Sequence, residues 1–294
     1  MHRRQFHLRA ISALSACAAA ALPLAACSTS QPKSPSGPYA DIEAQSTGRL
    51  GVAVLDTASG HWDGQRLDER FPMCSTFKWL AAAHVLQRVD QGREQLERRI
   101  RFGRDALIEY SPVTESQAGK NGMTLAELCH AAITVSDNTA ANLILDTLGG
   151  PQGLTAFARS LGDDVTRLDR WEPALNESKP GDPRDTTSPR AMATLLQQLV
   201  LGDALSSGSR EQLTRWLQAT TTNRGRLAAD LPTGWKIGTK TGSSGNGSVN
   251  DVGVFWPPHR PPIIAAVYIT AGKGSSKSIE PAIATVARRI TRGA

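Results

Sequence analysis

Ser75 and Lys78 stand three residues apart in Cys74-Ser75-Thr76-Phe77-Lys78, at the head of the run Trp79-Leu80-Ala81-Ala82-Ala83-His84-Val85-Leu86. Apolar residues on almost every face mark that run as a helix buried in a core. Residues three apart lie about one turn from each other, so the hydroxyl and the amine share a face. At a helix start the exposed N–H groups and the positive end of the dipole stabilise an alkoxide or an oxyanion. A buried lysine also sheds its proton more readily than a solvated one, and so can act as the base that a weak hydroxyl nucleophile needs. The spacing alone is not specific, because Ser30 and Lys33 repeat it in a Pro/Ser-rich stretch where no helix is expected.

Three further groups carry chemistry. Ser136-Asp137-Asn138 connects two helical stretches, so Ser136 and Asn138 can project into a cleft; read locally, the triplet is ordinary N-capping. Lys240-Thr241-Gly242 ends a β-like segment and places a cation and a hydroxyl beside a glycine that admits another backbone; read locally, it is a strand end. Arg170-Trp171-Glu172-Pro173-Ala174-Leu175-Asn176, followed by Gly181-Asp182-Pro183-Arg184-Asp185, is a long polar loop of the kind that is usually functional when it lies inside a compact domain. Arg170 and Asp185 would clamp it shut, against the plainer reading of two surface charges worth little.

The elements that must position these groups follow from periodicity. Arg49 to Leu55 reads as a strand closed by a turn at Asp56-Thr57-Ala58-Ser59-Gly60. From Phe77 to about Leu217 the pattern is helical, with segments at Leu125–Ile133, Thr139–Leu148 (stopped by Gly149-Gly150-Pro151) and Ala191–Leu201. Strands return at Gly234–Thr241, Asp251–Trp256 and Ile263–Thr270, before a last helix from about Ile279 to Ile290. One sheet is thus completed across a helical insertion, and short connections favour antiparallel pairing. A site assembled from distant pieces belongs in the cleft between them.

Met1 to Ala26 places Arg3, Arg4 and Arg9 ahead of an apolar run too short and Ala-rich for a membrane span, which is the pattern of an export signal. Arg3-Arg4-Gln5-Phe6 suits a twin-arginine as well as a Sec route. Leu24-Ala25-Ala26-Cys27 resembles a bacterial lipobox, so Cys27 is expected to be lipidated; ordinary cleavage near Ala26 is the alternative. Residues 27–38 then form a lipidated cysteine and a disordered tether, and the expected location is periplasmic, with membrane contact only through that lipid.

The formal charge of +6 includes the three signal arginines, whose removal leaves +3. That is too mild, and the basic residues too scattered, for a nucleic-acid partner. Of four cysteines, Cys17 leaves with the signal and Cys27 takes the lipid, so Cys74 and Cys129 remain, expected as buried free thiols. His61, His84, His130 and His259 lack any metal-ligand spacing, so no metal and no cofactor is expected. The tryptophans, Trp171 included, read as core or loop-packing residues.

Ser-x-x-Lys, Ser-Asp-Asn, Glu-Pro-x-x-Leu-Asn and Lys-Thr-Gly, in this order, resemble the motifs of class A serine β-lactamases. The resemblance runs from the first strand through Tyr110-Ser111-Pro112-Val113-Thr114-Glu115 and Gly181–Asp185 to the last helix. It implies an α/β (α+β) fold of the β-lactamase/transpeptidase-like kind, a five-stranded antiparallel sheet with flanking helices and a helical domain inserted after the first strands. The expected divisions are a signal over 1–26, the tether over 27–38, an α/β domain from 39–70 with 218–294, and a helical domain over 71–217.

The implied activity is hydrolysis of the β-lactam amide of penicillins and cephalosporins through a serine acyl-enzyme, conferring antibiotic resistance and carried out by a monomer. In that pattern Ser75 is the acylated nucleophile, and its N–H forms an oxyanion hole with that of Ser243. Lys78 takes part in proton transfer, and Ser136 relays a proton to the leaving nitrogen. Asn138 holds the substrate's side-chain amide, Glu172 and Asn176 position the hydrolytic water, Lys240, Thr241, Gly242 and Ser243 form the strand that meets the substrate carboxylate, and Tyr110 flanks the entrance. The base for acylation is left open between Lys78 and Glu172 acting through water.

Two positions depart from the pattern. Ala228 and Val249 stand where many relatives carry an arginine near the substrate carboxylate, leaving Arg224 or Arg226 as substitutes. Ser243 and Ser244 stand where a disulfide partner for Cys74 would be, so the bridge that accompanies carbapenem hydrolysis in some relatives is not expected. A penicillin-sensing or peptidoglycan-binding domain and a D-Ala-D-Ala carboxypeptidase would share the acylation parts. Glu172 separates them, because a carboxylate that activates water converts a trapped ester into turnover.

Overall fold

The computed structural model describes residues 37–293, all within one compact unit. The expected signal, Cys27 and the tether up to residue 36 lie outside the described residues. Five strands, β1 (Arg49–Asp56), β2 (His61–Gln65), β3 (Lys236–Ser243), β4 (Val249–Trp256) and β5 (Ile263–Thr270), form one sheet in the order β2-β1-β5-β4-β3. Every pairing is antiparallel. β5 reads Ile-Ile-Ala-Ala-Val-Tyr-Ile-Thr and is buried on both faces but for its last residue, as expected of a central strand covered by helices.

Side chains alternate across the sheet. On β4, Val249 and Phe255 pack with Leu50, Ile279 and Ile283 in one core, while Val252 and Val254 join the larger core of the helical side. The first core is closed by α1 (Ala40–Ser46) and the C-terminal α8 (Ser276–Gly293). In the second, α2 (Phe77–Asp90) buries Phe77 through Ala83 without a break, which is why its sequence shows no polar face.

The other helices begin where local chemistry starts them. A capping box of Thr124 and Glu127 opens α3 (Leu125–Thr134). The Asp137 carboxylate caps α4 (Asn138–Thr147), and Ser188 caps α6 (Pro189–Leu196). Gly149-Gly150-Pro151 does more than stop α4: Gly149 takes φ +84° and Pro151 sits in the first turn of α5 (Gly150–Ser160), where its missing N–H costs nothing. The helix expected over Ala191–Leu201 is α6 followed by a wider π turn at Gln197–Leu201. α6 lies against β1 and β5, so part of the 71–217 stretch covers the sheet. α7 (Ser207–Gln218) completes the set.

β3 is an edge strand, and the segment after α7 covers its open side. Thr220 Oγ1 donates to the Thr239 carbonyl at 2.6 Å, and the hydroxyls of Thr222 and Thr241 meet at 2.6 Å. The edge is thereby both protected and aimed at the helical side, which places Lys240-Thr241-Gly242 on the rim of a cleft.

Candidate active site

Ser75 lies in a 3₁₀ turn, Cys74–Thr76, that runs into α2. The backbone entering this turn is held from three directions. Met73 N–H donates to the Asp185 carbonyl at 2.9 Å, and Asn250 Nδ2 donates to the carbonyls of Pro72 and Met73 at 2.9 and 3.1 Å. Gly242 packs so closely that a Cβ there would stand 2.8 Å from the Met73 oxygen and 3.2 Å from the Ser75 nitrogen. Lys-Thr-Gly therefore needs its glycine to let β3 reach the nucleophile.

Lys78 and Lys240 have no exposed surface and Glu172 is 3% exposed, so their charges persist only through pairing. Lys78 Nζ donates to the Ser136 carbonyl at 2.8 Å, to Asn138 Oδ1 at 2.6 Å and to Glu172 Oε1 at 3.1 Å. With Ser136 Oγ at 3.4 Å the amine faces four acceptors and no donor, surroundings that favour an ammonium. Burial lowers its pKa from the ordinary lysine value, with the Glu172 carboxylate opposing. Ser75 Oγ donates to the same Oε1 at 3.1 Å, and Asn176 Nδ2 holds Oε2 at 2.5 Å.

Ser136 bridges the two lysines. Its Oγ accepts from Lys240 Nζ at 3.0 Å and faces Lys78 Nζ at 3.4 Å, which leaves its own proton to point into the cleft. Lys240 also donates to the Thr241 carbonyl at 2.7 Å. Burial, then the charge of Lys78, pushes the Lys240 pKa well below that of a free lysine.

Asp137 does the capping that the local reading of Ser-Asp-Asn foresaw, and this frees its neighbours for the cleft. Its carboxylate accepts from Ala140 N–H at 2.8 Å and grips Thr114 through N–H and hydroxyl at 3.0 and 2.8 Å. Asn138 is tied to the same passing segment, donating its N–H to the Tyr110 carbonyl at 3.0 Å and its Nδ2 to Glu109 at 2.8 Å. Tyr110 is left 58% exposed at the rim. Cys74, Tyr110, Ser136 and Asp185 all take positive φ, between 46° and 64°. Left-handed backbone in non-glycine residues stores strain that the surrounding contacts must hold, and four of the ten such residues described lie at this site.

The 170–185 loop is clamped as its end charges suggested. Arg170 Nε meets Asp185 Oδ2 at 2.5 Å, and Asp185 also accepts the N–H groups of Asp169 and Arg170 at 2.8 and 2.9 Å. Asp185 is 1% exposed, so the pair is no surface ornament. Asn142 on α4 fastens the middle of the loop, donating Nδ2 to the Glu172 carbonyl at 2.9 Å and accepting Glu172 N–H at 3.0 Å. Neither Asn142 nor Asn250 stands in a motif; each shows only once the chain is folded.

The cleft measures about 850 Å³ and is lined by Ser75, Tyr110, Ser136, Asn138, Asn176, Thr241, Gly242 and Ser243, together with Arg226 and Thr222. Of the two candidate arginines, Arg226 is the one at the site. It donates to the carbonyls of Gly242 and Asn250 at 2.9 and 2.7 Å and to Ser243 Oγ at 2.7 Å, and pairs with Glu280 at 3.0 Å.

Cys74 and Cys129 are free and buried, and burial pushes the Cys74 thiol up to about 12. Among the described residues no group of three or more His, Cys, Asp or Glu could hold a metal. His84 stacks on Phe157, ring centroids 4.4 Å apart. Trp171 is 40% exposed beside Glu172 and lays its ring against Gly150, where an added Cβ would stand 3.2 Å from it, a loop-packing place and not a core one.

A family model described as "Beta-lactamase enzyme family" matches residues 39–293. The chain is 48% identical over 257 residues to the carbapenem-hydrolyzing β-lactamase KPC of Klebsiella oxytoca, with 87% of each chain covered. It is 50% identical over 243 residues to β-lactamase AST-1 of Nocardia asteroides, covering 83% of this chain and 77% of that one. In structure it is similar to an ancestral (GNCA) class A β-lactamase, at 59% identity and a TM-score of 0.85, with 87% of this chain and 98% of that chain covered. Nucleophile turn, paired lysines, loop carboxylate and edge strand thus coincide with a likeness that spans the described fold, and the chain belongs to the β-lactamase enzyme family, among its class A members.

Proposed function

We propose that this protein hydrolyses the β-lactam amide of penicillins and cephalosporins through an ester on Ser75, conferring resistance on the cell that makes it. The observation that carries the reading is that Ser75 Oγ and Lys78 Nζ both address Glu172 Oε1 at 3.1 Å. A carboxylate so placed can take the serine proton and, once the ester exists, a proton from water.

In acylation, Ser75 Oγ attacks the lactam carbonyl carbon, its proton passes to Glu172, and the N–H groups of Ser75 and Ser243 receive the oxyanion. The C–N bond breaks as Ser136 gives its proton to the leaving nitrogen. Lys240 and Lys78, both donating toward Ser136 Oγ, stabilise the oxygen left behind. In this scheme Lys78 enters the cycle as an ammonium ringed by acceptors, and Glu172 is the first proton acceptor. Lys78, within reach of both Glu172 Oε1 and Ser136 Oγ, then gives a proton to Ser136 and takes the one on Glu172, which restores the carboxylate. In deacylation, Glu172 takes a proton from a water that it orients with Asn176, the water attacks the ester carbonyl, and the proton passes to Ser75 as its ester bond breaks. Lys240, Thr241, Ser243 and Arg226 receive the substrate carboxylate along the strand continued by Gly242, Asn138 receives the side-chain amide, and Tyr110 walls the entrance. Ser75→Ala should abolish hydrolysis of both drug classes while the fold persists; retained turnover would contradict the assignment.

Export is part of the proposal and rests on the sequence of residues 1–27. The chain would work in the periplasm as a monomer held by lipid on Cys27; among the described residues no helix is long and apolar enough to cross a membrane. Labelling of cells with a radioactive fatty acid tests the anchor: Cys27→Ala should lose the label, and equal labelling would reject it.

A further inference from the structure

Asp251 is a buried acid that the reaction just described does not use. It lies on β4 opposite Thr241 of β3, has no exposed surface, and by alternation faces the α8 side of the sheet with Val249 and Phe255. Its Oδ2 accepts the N–H of Leu227, the residue after Arg226, at 3.1 Å. Its Oδ1 has no hydrogen bond of good geometry among the described residues, and the Thr239 hydroxyl reaches the carboxyl only as a weak donor. Burial pushes this carboxyl up to about 6, with Arg226, the Leu227 N–H, Thr239 and Lys240 pulling it down. Asp251 in turn is among the groups that favour the charged form of Lys240.

A buried carboxylate with one backbone N–H and one weak hydroxyl donor destabilises a fold, and a neutral isostere would pack there at lower cost. A charge kept in such a place, across from Thr241 and on the face of the sheet opposite to Lys240, points to function. The Leu227 bond also acts on geometry, since it fixes the turn from which Arg226 reaches Gly242, Asn250 and Ser243.

We propose that Asp251 is a positioning residue of the substrate-carboxylate subsite: it fixes the turn presenting Arg226 and, from the adjacent strand, supports the positive charge of Lys240. The inference rests on the β-lactamase reading above and deepens it.

Asp251→Asn removes the charge and keeps an oxygen for Leu227. KM and kcat are measured for a penicillin, kcat/KM for the methyl ester of the same penicillin, and melting temperature at pH 7. The expected result is a KM for the acid raised about tenfold, equivalent to about 1.4 kcal/mol of binding, with kcat little changed, kcat/KM for the ester unaltered and a melting temperature no lower than that of the wild type. Equal losses for acid and ester, or an unchanged KM for the acid, would overturn it. Asp251→Ser, smaller and also able to accept from Leu227, gives the same comparison if the asparagine variant does not fold. A wild-type protein that hydrolyses neither compound would instead refute the β-lactamase reading.

Discussion

The Ser75 hydroxyl donates to Glu172 Oε1 at 3.1 Å across 97 residues of sequence. Glu172 is the residue that sets a turnover enzyme apart from a protein that is merely acylated, and this contact puts its carboxylate beside the oxygen that would carry the ester. The site is thus organised around one carboxylate, and the loop that carries it is the part most exposed to perturbation.

That loop depends on Asp185, which takes two backbone N–H groups and the Arg170 guanidinium. Asp185→Asn turns one acceptor into a donor facing Arg170. Loss of one partner of a buried pair is expected to cost about 2–4 kcal/mol, lowering the melting temperature by about 5–12 °C. Because Glu172 and Asn176 ride on the same loop, kcat should fall as well. Unchanged melting and activity would remove the clamp from the account.

Arg226, which lines the cleft, is the cation proposed in place of the arginine absent at Ala228 and Val249. Arg226→Ala should raise KM for penicillins about 10- to 100-fold, the worth of a charge-assisted contact of about 1.5–3 kcal/mol, and Arg226→Lys should restore part of it. Steady-state kinetics on the three proteins give the test, and an unchanged KM in the alanine variant would dismiss Arg226 as the cation.

Lys240 sets an alkaline limit. Its pKa is depressed by burial and by Lys78, so the cation is lost at a lower pH than a free lysine would lose it, and kcat/KM for penicillins should decline over that interval. The sign for stability is opposite: where the unfolded chain still binds the proton and the folded one does not, this group makes stability rise with pH. The decline should therefore occur without unfolding, as circular dichroism at each pH would report. Lys240→Arg, which does not titrate there, should move the decline to higher pH; an unmoved profile would place the titration elsewhere.

The nucleophile turn was legible in the sequence because Ser75 and Lys78 are related by a single helical turn, and Glu172 with Asn176 by a short loop. What escaped depends on tertiary contact. Asn142 reaches Glu172 over 30 residues and Asn250 reaches Met73 over 177, distances at which an asparagine gives no local signal. The choice of Arg226 over Arg224 required the register of β3 against β4. Strand β2 was missed because His61-Trp62-Asp63-Gly64-Gln65 has no apolar alternation, being a largely exposed edge. Helix α1, at seven residues, is too short for its period to show.

The central claim, that Glu172 converts a serine ester into turnover, is tested most directly by recording intact mass while the wild type and Glu172→Ala act on a chromogenic cephalosporin. The wild type should release many equivalents of colour with only a transient adduct. Glu172→Ala should still acylate Ser75, accumulate a stable adduct and turn over about 10²- to 10⁴-fold more slowly, the usual worth of general-base help. A wild type that stops after one equivalent with a lasting adduct, or a Glu172→Ala variant that keeps rapid steady turnover, would contradict the account.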